Sequence, residues 1–282
     1  MNALIVGASG QVGSALRSRV GGIGTAHRHP APGLVALDLS DLDAVRNLVR
    51  EVRPGVCYLA GAWTHMDAAE EQPEACRRVN VSASVVIAEE LRLQGGLLVF
   101  FSTDHVFGER DVPWREDEPT APVSVYAQSK AEAEAAIRSL LPERHLILRT
   151  SWVFGPDTQG RNFVHRVRNT LGRGEVLTVP NDQWGQPTFA PNLAEMAVSL
   201  VGRGERGTFH VVGPQWLTRF EWAQTIARTL RLDAGRIEGR PTSTFGGAPR
   251  PRRVGLDGTK VRVYLAVGLP AVRFNTGRQA DR

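Results

Sequence analysis

The sequence predicts an α/β fold: a doubly wound parallel sheet followed by a smaller α+β region. Three observations carry that reading. Short apolar runs alternate with helix-forming stretches from the start of the chain to about residue 150. The first run, Ala3-Leu4-Ile5-Val6, passes directly into Gly7-Ala8-Ser9-Gly10-Gln11-Val12-Gly13, so three glycines sit where a strand turns into a helix. Beyond Thr150 the alternation gives way to Ser151-Trp152-Val153-Phe154-Gly155-Pro156 and to shorter, less regular pieces. The first two features are those of a Rossmann-type sheet over residues 1–151. The third assigns residues 152–282 mainly to a second region, with segments after residue 185 returning to complete the first.

Within the opening motif each glycine has a separate task. Gly7 makes the tight turn, Gly10 lets the backbone approach a pyrophosphate, and Gly13 lets the helix pack closely on the strand. Gln11 and Val12 lie at the helix N-terminus, whose N–H groups and dipole favour phosphate oxygens. A second strand, Gly22-Ile23-Gly24-Thr25-Ala26, ends in His27-Arg28-His29. A site selective for NAD commonly has an acid here for the ribose 2′-hydroxyl, whereas an Arg suits a 2′-phosphate. Arg28 therefore favours NADPH, with NADH as the lesser alternative. Leu34-Val35-Ala36-Leu37 is the next strand and delivers Asp38 and Leu39 to the same edge. Ser40-Asp41 caps a helix running to Val52, Pro54 ends it, and Val56-Cys57-Tyr58-Leu59 follows as a strand. Ala60, Gly61 and Ala62 place small residues at its carboxyl end, the edge where open α/β sheets bind ligands. Residues 73–93 read as one long helix with Asn80 inside it. Residues 97–101 form a buried strand that presents Ser102-Thr103-Asp104-His105, and His145-Leu146-Ile147-Leu148-Arg149-Thr150 is a sixth strand. A further helix is expected from about Asn192, a strand over residues 208–212, and an amphipathic helix over residues 218–230.

Composition limits the remaining choices. The 282 residues are 42% hydrophobic and 22% charged, as in an ordinary globular protein. No apolar run nears the roughly 18 residues of a membrane span, and the start of the chain lacks the basic segment of a signal peptide. Two cysteines, Cys57 and Cys76, fit reduced thiols and a cytoplasmic location, and neither has the spacing of a metal ligand. The net charge of +5 is uneven: residues from 228 onward carry a local +8. Without interleaved aromatic residues or a reader motif, that basic end does not point to nucleic acid.

The chemistry concentrates in Ser124-Val125-Tyr126-Ala127-Gln128-Ser129-Lys130. Tyr126 and Lys130 are four apart, so on a helix they share a face. The chain has three tyrosines and two lysines among 34 basic residues, so this pairing is expected by chance only roughly 0.02 times. A compact ammonium beside a phenol is not replaceable by a guanidinium. It would lower a phenol pKa from about 10 toward the range useful to a general acid. Thr103 could bond the same reacting oxygen. His105 reads as a packed histidine rather than as the acid, and the acidic loop over residues 113–122 as structural.

Taken together these motifs resemble the extended short-chain dehydrogenase/reductases, and within them the dTDP-4-dehydrorhamnose reductase family, over about residues 1–262. The match rests on Gly7-x-x-Gly10-x-x-Gly13, Ala62-Trp63-Thr64-x-x-Asp67-x-Ala69-Glu70 and Phe101-Ser102-Thr103-Asp104-His105-Val106-Phe107. It extends through Tyr126-x-x-Ser129-Lys130, Arg149-Thr150-Ser151-Trp152-Val153-Phe154-Gly155 and Asn181-Asp182-Gln183-x-Gly185-x-Pro187-Thr188, to Arg250-Pro251-Arg252 with Leu256-Asp257 and Lys260. The resemblance implies reduction of the C4 ketone of a nucleoside-diphosphate 4-keto-6-deoxysugar by NADPH or NADH. It implies that Tyr126 protonates the C4 oxygen, that Lys130 lowers the tyrosine pKa and holds the nicotinamide ribose, and that Thr103 assists. Asp104 and Trp152 would contact the sugar. A homodimer is among the assemblies it implies, and the acidic cluster that holds metal in some members has no counterpart, so no metal is expected. Three departures stand out. His105 and Trp63 occupy positions where the family often has Tyr, the usual Trp-containing closing helix is missing after Lys260, and residues 275–282 read as an unrelated tail. Two other readings stay open: another sugar-nucleotide enzyme of the same superfamily, or a non-catalytic NADP-binding regulatory protein resembling the β subunit of methionine adenosyltransferase.

Overall fold

Seven parallel strands form one sheet in the computed structural model, which describes residues 2–28, 31–157 and 159–262. In chain order they are β1 (Ala3–Val6), β2 (Ile23–Ala26), β3 (Leu34–Ala36), β4 (Val56–Leu59), β5 (Leu97–Thr103), β6 (His145–Thr150) and, after the short strand β7 (Leu177–Pro180) that lies elsewhere, β8 (Gly207–His210). Across the sheet the order is β8-β6-β5-β4-β1-β2-β3. The order reverses between β1 and β4, the switch point at which open sheets of this kind bind ligands. Every residue of β1, β4, β5 and β6 is buried, as expected for parallel strands covered on both faces.

The covering helices follow from local sequence. On one face α1 (Gln11–Val20) packs with α8 (Ala190–Gly202) over Ile5, Val99, Leu146 and Leu148. On the other, α2 (Leu42–Val52), α5 (Ala83–Gln94) and α6 (Val125–Leu140) bury Val45, Ile87, Leu91 and Ile137 against Leu4, Leu98 and Ile147. The caps are side chains: Asp41 accepts from the Ala44 N–H at 3.0 Å and Ser124 from the Ala127 N–H at 3.3 Å, each satisfying a donor the first turn leaves free. Of the later segments, β8 pairs with β6 at the edge of the main sheet and α8 packs against α1.

A separate apolar cluster is built from α7 (Phe163–Gly172), β7 and α9 (Arg219–Thr229), with β9 (Ile237–Arg240) pairing in parallel with β7. Trp222, 1% exposed, is its centre. Helix α9 begins with a reciprocal capping box between Thr218 and Glu221.

Two expectations change. Residues 73–93 are not one regular helix: α4 (Pro73–Arg77) passes through a π turn, Arg78–Ser82, before α5. The wide turn carries Asn80, whose amide bonds the backbone N–H and C=O of Trp63 and the Ser129 hydroxyl, and π turns often mark such tertiary commitments. The strand expected over residues 208–212 is β8, which starts one residue earlier and ends at His210. The tail expected over residues 275–282 lies outside the described residues, as does His29. Among the described residues no helix is long and apolar enough to cross a membrane.

Candidate active site

The glycine loop shows why two of its positions tolerate only glycine. Gly7 has φ +83°, and a Cβ there would stand 2.6 Å from Gly61 Cα. A Cβ on Gly13 would reach 2.1 Å from Gly7 O, so α1 could not seat against the loop. Gly10 differs: a Cβ there would meet only Gly7 O, at 3.4 Å, so its outward side is open. That opening, beside the α1 N-terminus, fits the pyrophosphate of a dinucleotide. Ala60 and Gly61 both donate backbone N–H groups to Val6 O, at 3.0 and 2.8 Å, which binds the end of β4 to the end of β1. Ala62 continues this loop into Trp63, which Asn80 holds.

On the far rim of the loop, Arg28 is exposed at the end of β2. Asp38 accepts from the Ser40 N–H at 2.8 Å and lies 3.4 Å from His27 Nε2. These hydrogen bonds and the charges of His27 and Arg28 outweigh its partial burial and hold its carboxyl below the usual range. Leu39 packs toward Gly61. The residues expected around a cofactor therefore lie along one edge.

A contribution not visible in the sequence comes from the segment after β6. Asn162 donates to Gln11 Oε1 at 3.0 Å and to Gly155 O at 2.9 Å, while Gln159 donates to Ser9 O at 3.3 Å. These contacts fasten residues 155–162 to the glycine loop across about 150 positions of chain. No spacing rule could have announced them.

Beside this edge α6 carries Tyr126 and Lys130. Lys130 Nζ donates to Phe101 O at 2.7 Å and lies 3.9 Å from the centre of the Phe100 ring. With 2% of the residue exposed, burial pushes its ammonium down to about 7, against an opposing pull from Glu134. The Tyr126 phenol is shifted up, again by burial, with a hydrogen bond to Thr103 acting in the other direction. Burial is the larger influence on both groups. Spacing placed the two side chains on one helix, but the ammonium is committed to a carbonyl of β5 and desolvation dominates both groups.

Thr103 donates to Asp104 Oδ1 at 3.1 Å, and Ser151 donates to Asp104 Oδ2 at 2.6 Å. Asp104 is thus a buried carboxylate, 2% exposed, fixed from both sides. His105 sits edge-on to Tyr126, ring centres 6.5 Å apart, and burial favours its neutral form. Its Nδ1 has no hydrogen-bond partner, so it is a packed neighbour of the tyrosine rather than a charged acid.

Trp152 completes the group. Its φ of +41° is left-handed, rare for a bulky residue and frequent where function constrains backbone. The indole stacks on Trp222 at 5.4 Å, and a Cβ on Gly185 would fall 2.2 Å from it. The Arg219 guanidinium lies 3.5 Å from the centre of the same indole. Ser151 and Arg219 were not among the expected site residues. The first is visible only once Asp104 is placed, and the second lies far along the chain in a different helix. Among the described residues no three His, Cys, Asp or Glu side chains converge as a metal site requires.

The chain is similar throughout to known proteins. A family model described as the RmlD substrate binding domain matches residues 1–280. dTDP-4-dehydrorhamnose reductase of Streptomyces griseus is 35% identical over 279 residues, spanning 96% of this chain and 89% of that protein. A probable dTDP-4,6-dihydroxy-2-methyloxan-3-one 4-ketoreductase of Streptomyces antibioticus is 37% identical, spanning 89% of this chain and 85% of that one. The solved structure of dTDP-4-dehydrorhamnose reductase from Bacillus anthracis in complex with NADP superimposes with a TM-score of 0.84 at 27% identity, covering 96% of this chain and 95% of the other.

Proposed function

This chain belongs to the dTDP-4-dehydrorhamnose reductase family, and we propose that Tyr126, Thr103 and Lys130 are the groups with which it reduces a 4-keto nucleotide sugar. The reaction is reduction of the C4 ketone of a nucleoside-diphosphate 4-keto-6-deoxysugar by an NAD(P)H-dependent oxidoreductase. When bound, the dinucleotide supplies the hydride. The chain supplies the rest.

As the ketone becomes an alkoxide, negative charge grows on its oxygen, and a donor fixed there lowers the barrier. The Tyr126 phenol, protonated across the physiological range because burial raises its pKa, is suited to donate that proton. Thr103 can bond the same reacting oxygen. Lys130, close to neutral at about 7, can take up a proton and return the tyrosine to its acid form. Asp104, with Ser151 and Thr103 as donors, is an acceptor for sugar hydroxyls, and Trp152 offers its edge to the ring. The observation that carries this reading is the placing of Tyr126 and the buried Lys130 on one helix at the edge of the sheet where Thr103 and Asp104 end β5, next to the open Gly10 loop.

NADPH is the preferred cofactor in this reading, supported by Arg28 and by the lack of an acid at the end of β2. Gly7, Gly10, Gln11, Val12, Gly13, Asp38, Leu39, Ala60, Gly61 and Ala62 line its path. The division into a cofactor part, residues 1–151 with later additions, and a mainly sugar-binding part, residues 152–282, belongs to the same proposal. It is supported by the separate apolar cluster around Trp222. The free thiols Cys57 and Cys76 fit the reducing cytoplasm.

The test is NADPH consumption with dTDP-4-keto-6-deoxysugars. Tyr126→Phe should lower kcat by roughly 10²- to 10⁴-fold, the usual worth of a positioned acid, with NADPH affinity retained. NADPH binding by wild type without turnover of any such sugar would overturn the reductase reading in favour of a regulatory binding protein.

A further inference from the structure

Glu134 is a fully buried carboxylate one helical turn beyond Lys130 on α6. The four-residue spacing puts the two side chains on the same face, with Cβ atoms about 6 Å apart. Both turn toward the sheet. Lys130 Nζ reaches Phe101 O on β5, and Glu134 accepts from Arg149 of β6, from Nε at 3.0 Å and from Nη2 at 2.8 Å. Arg138, on the following turn of the helix, donates to the same carboxylate at 2.6 Å. A row of alternating charge, Lys130–Glu134–Arg138, thus runs along one helix face, with Arg149 of the sheet against its middle member.

Stability alone does not account for a carboxylate at this depth. An ion pair in an apolar interior gains little over well-packed apolar residues of the same size, because both charges must leave water. The surroundings would suit such residues: the Phe107 ring lies 4.7 Å from the Arg149 guanidinium, and the Phe100 ring 3.9 Å from the Lys130 ammonium. What the carboxylate gains from its place is a hold on Lys130, since a charge one turn away is little screened in the interior. The charges that bear on Lys130 come from Glu134 and, on α4, from Cys76. The Cys76 thiol is pushed up by its own burial and is uncharged near neutrality, which leaves Glu134 as the acting charge. Other acids on the elements around α6 are engaged: Asp104 beyond β5 by Thr103 and Ser151, Glu70 by the Val125 N–H at 2.8 Å, and Glu90 on α5 by Arg46 and Arg50.

We propose that Glu134 is a positioning residue for the reduction, one that keeps Lys130 charged so that a proton can return to Tyr126 after each turnover. The proposal rests on the reading of Tyr126 as proton donor given above. Tyr126 gives its proton to the C4 oxygen and becomes a phenolate. The Lys130 ammonium supplies the proton that restores the phenol and becomes an amine, which takes its next proton from water. Glu134 favours that last event, because it stabilises the ammonium and not the amine. Without the carboxylate Lys130 stays an amine further into the neutral range, and the phenolate waits longer for its proton. Burial works against the charge of Glu134 itself, but the bonds from Arg149 and Arg138 outweigh it and hold the carboxyl below the usual range. Glu134 therefore acts through its field and does not carry the proton.

The chain has two lysines, Lys130 and Lys260. Protein grown on lysine isotopically labelled at Cε therefore gives two NMR signals, and Lys260→Arg leaves that of Lys130. The experiment titrates this signal and follows kcat against pH in wild type, Glu134→Gln, Arg149→Met and the double variant Glu134→Leu/Arg149→Met, which removes both charges without stranding either. Lys130 of the wild type should titrate at about 7. Glu134→Gln should move that midpoint down by roughly one pH unit. The double variant should move it down by less, and Arg149→Met should move it up, since the carboxylate is then less shared. The limb of the kcat profile should move with the signal in each variant. Midpoints that rise in all three would overturn the proposal in favour of water entering a loosened core, because hydration returns a lysine toward its ordinary 10.5. An unmoved midpoint in Glu134→Gln with a fallen kcat would overturn it and leave the ion pair as a support for α6. A midpoint that moves while the kcat limb stays would overturn it as well. If the midpoints move as stated but no keto sugar is turned over, the reductase reading fails; unmoved midpoints with full turnover sink this proposal alone.

Discussion

Three buried or half-buried cations show how differently one protein can treat a positive charge. Arg149, 1% exposed on β6, meets the fully buried Glu134 with Nη2 at 2.8 Å and Nε at 3.0 Å. Lys130, one helical turn before Glu134 on α6, meets only the Phe101 carbonyl and a ring face. Arg219, in the cleft, meets only rings. A cation satisfied by its own chain holds the fold; among the described residues Arg219 has no such acceptor.

That contrast can be broken most sharply at Arg149. Removing Arg149 leaves the buried Glu134 only the half-exposed Arg138, 2.6 Å away, so Arg149→Met should destabilise the protein by about 3 kcal/mol in urea unfolding. Adding Glu134→Leu should recover much of the loss, since the stranded carboxylate is then gone. A loss in the single variant below about 1 kcal/mol would show that Glu134 is not uncompensated without its arginine and would remove the structural end of the comparison.

Lys130→Met tests the middle case. Unfolded, Lys130 titrates at its ordinary 10.5, and folded at about 7. Between those values the unfolded chain holds the extra proton, so this group makes stability rise as pH rises from about 7 to 10.5. The variant should flatten that slope and gain about 0.5–2 kcal/mol near pH 7 while losing activity, the exchange often seen at working sites. An unchanged slope would show that the ammonium is not desolvated as its surroundings indicate.

The smallest effect on stability belongs to Arg219→Met. Without ligand its melting should stay within about 0.5 kcal/mol of wild type. A large ligand-free loss would move Arg219 into the same class as Arg149.

Legibility in the sequence follows the same gradient. The β1 turn was readable because Gly7, Gly10 and Gly13 encode a local backbone shape within seven residues. Tyr126 and Lys130 were readable for the same reason, as neighbours on one helix face. What four-residue spacing could not convey was depth: the Lys130 ammonium turns to Phe101 O, and desolvation sets both pKa shifts. The π turn at Arg78–Ser82 was missed because its cause, the bonds from Asn80 to Trp63 and Ser129, is tertiary. Arg219 was missed because nothing near it in sequence is aromatic in the way Trp152 is aromatic to it in space. Its own neighbours, Phe220 and Trp222, suggest only an amphipathic helix.

The late arrival of β8 in the sheet has a consequence for how this protein is made. Its partner β6 ends at Thr150, whereas β8 spans Gly207–His210. As the chain leaves the ribosome, β6 must wait through the synthesis of all the intervening segments with one row of N–H and C=O groups unpaired. The apolar side of α1 waits for α8 in the same interval. An open parallel edge over exposed apolar surface invites pairing with another nascent chain. Translation stalled between residues 151 and 206 therefore leaves an aggregation-prone product, whereas synthesis past α8 and β8 covers the apolar surface and leaves the four-residue β8 at that edge.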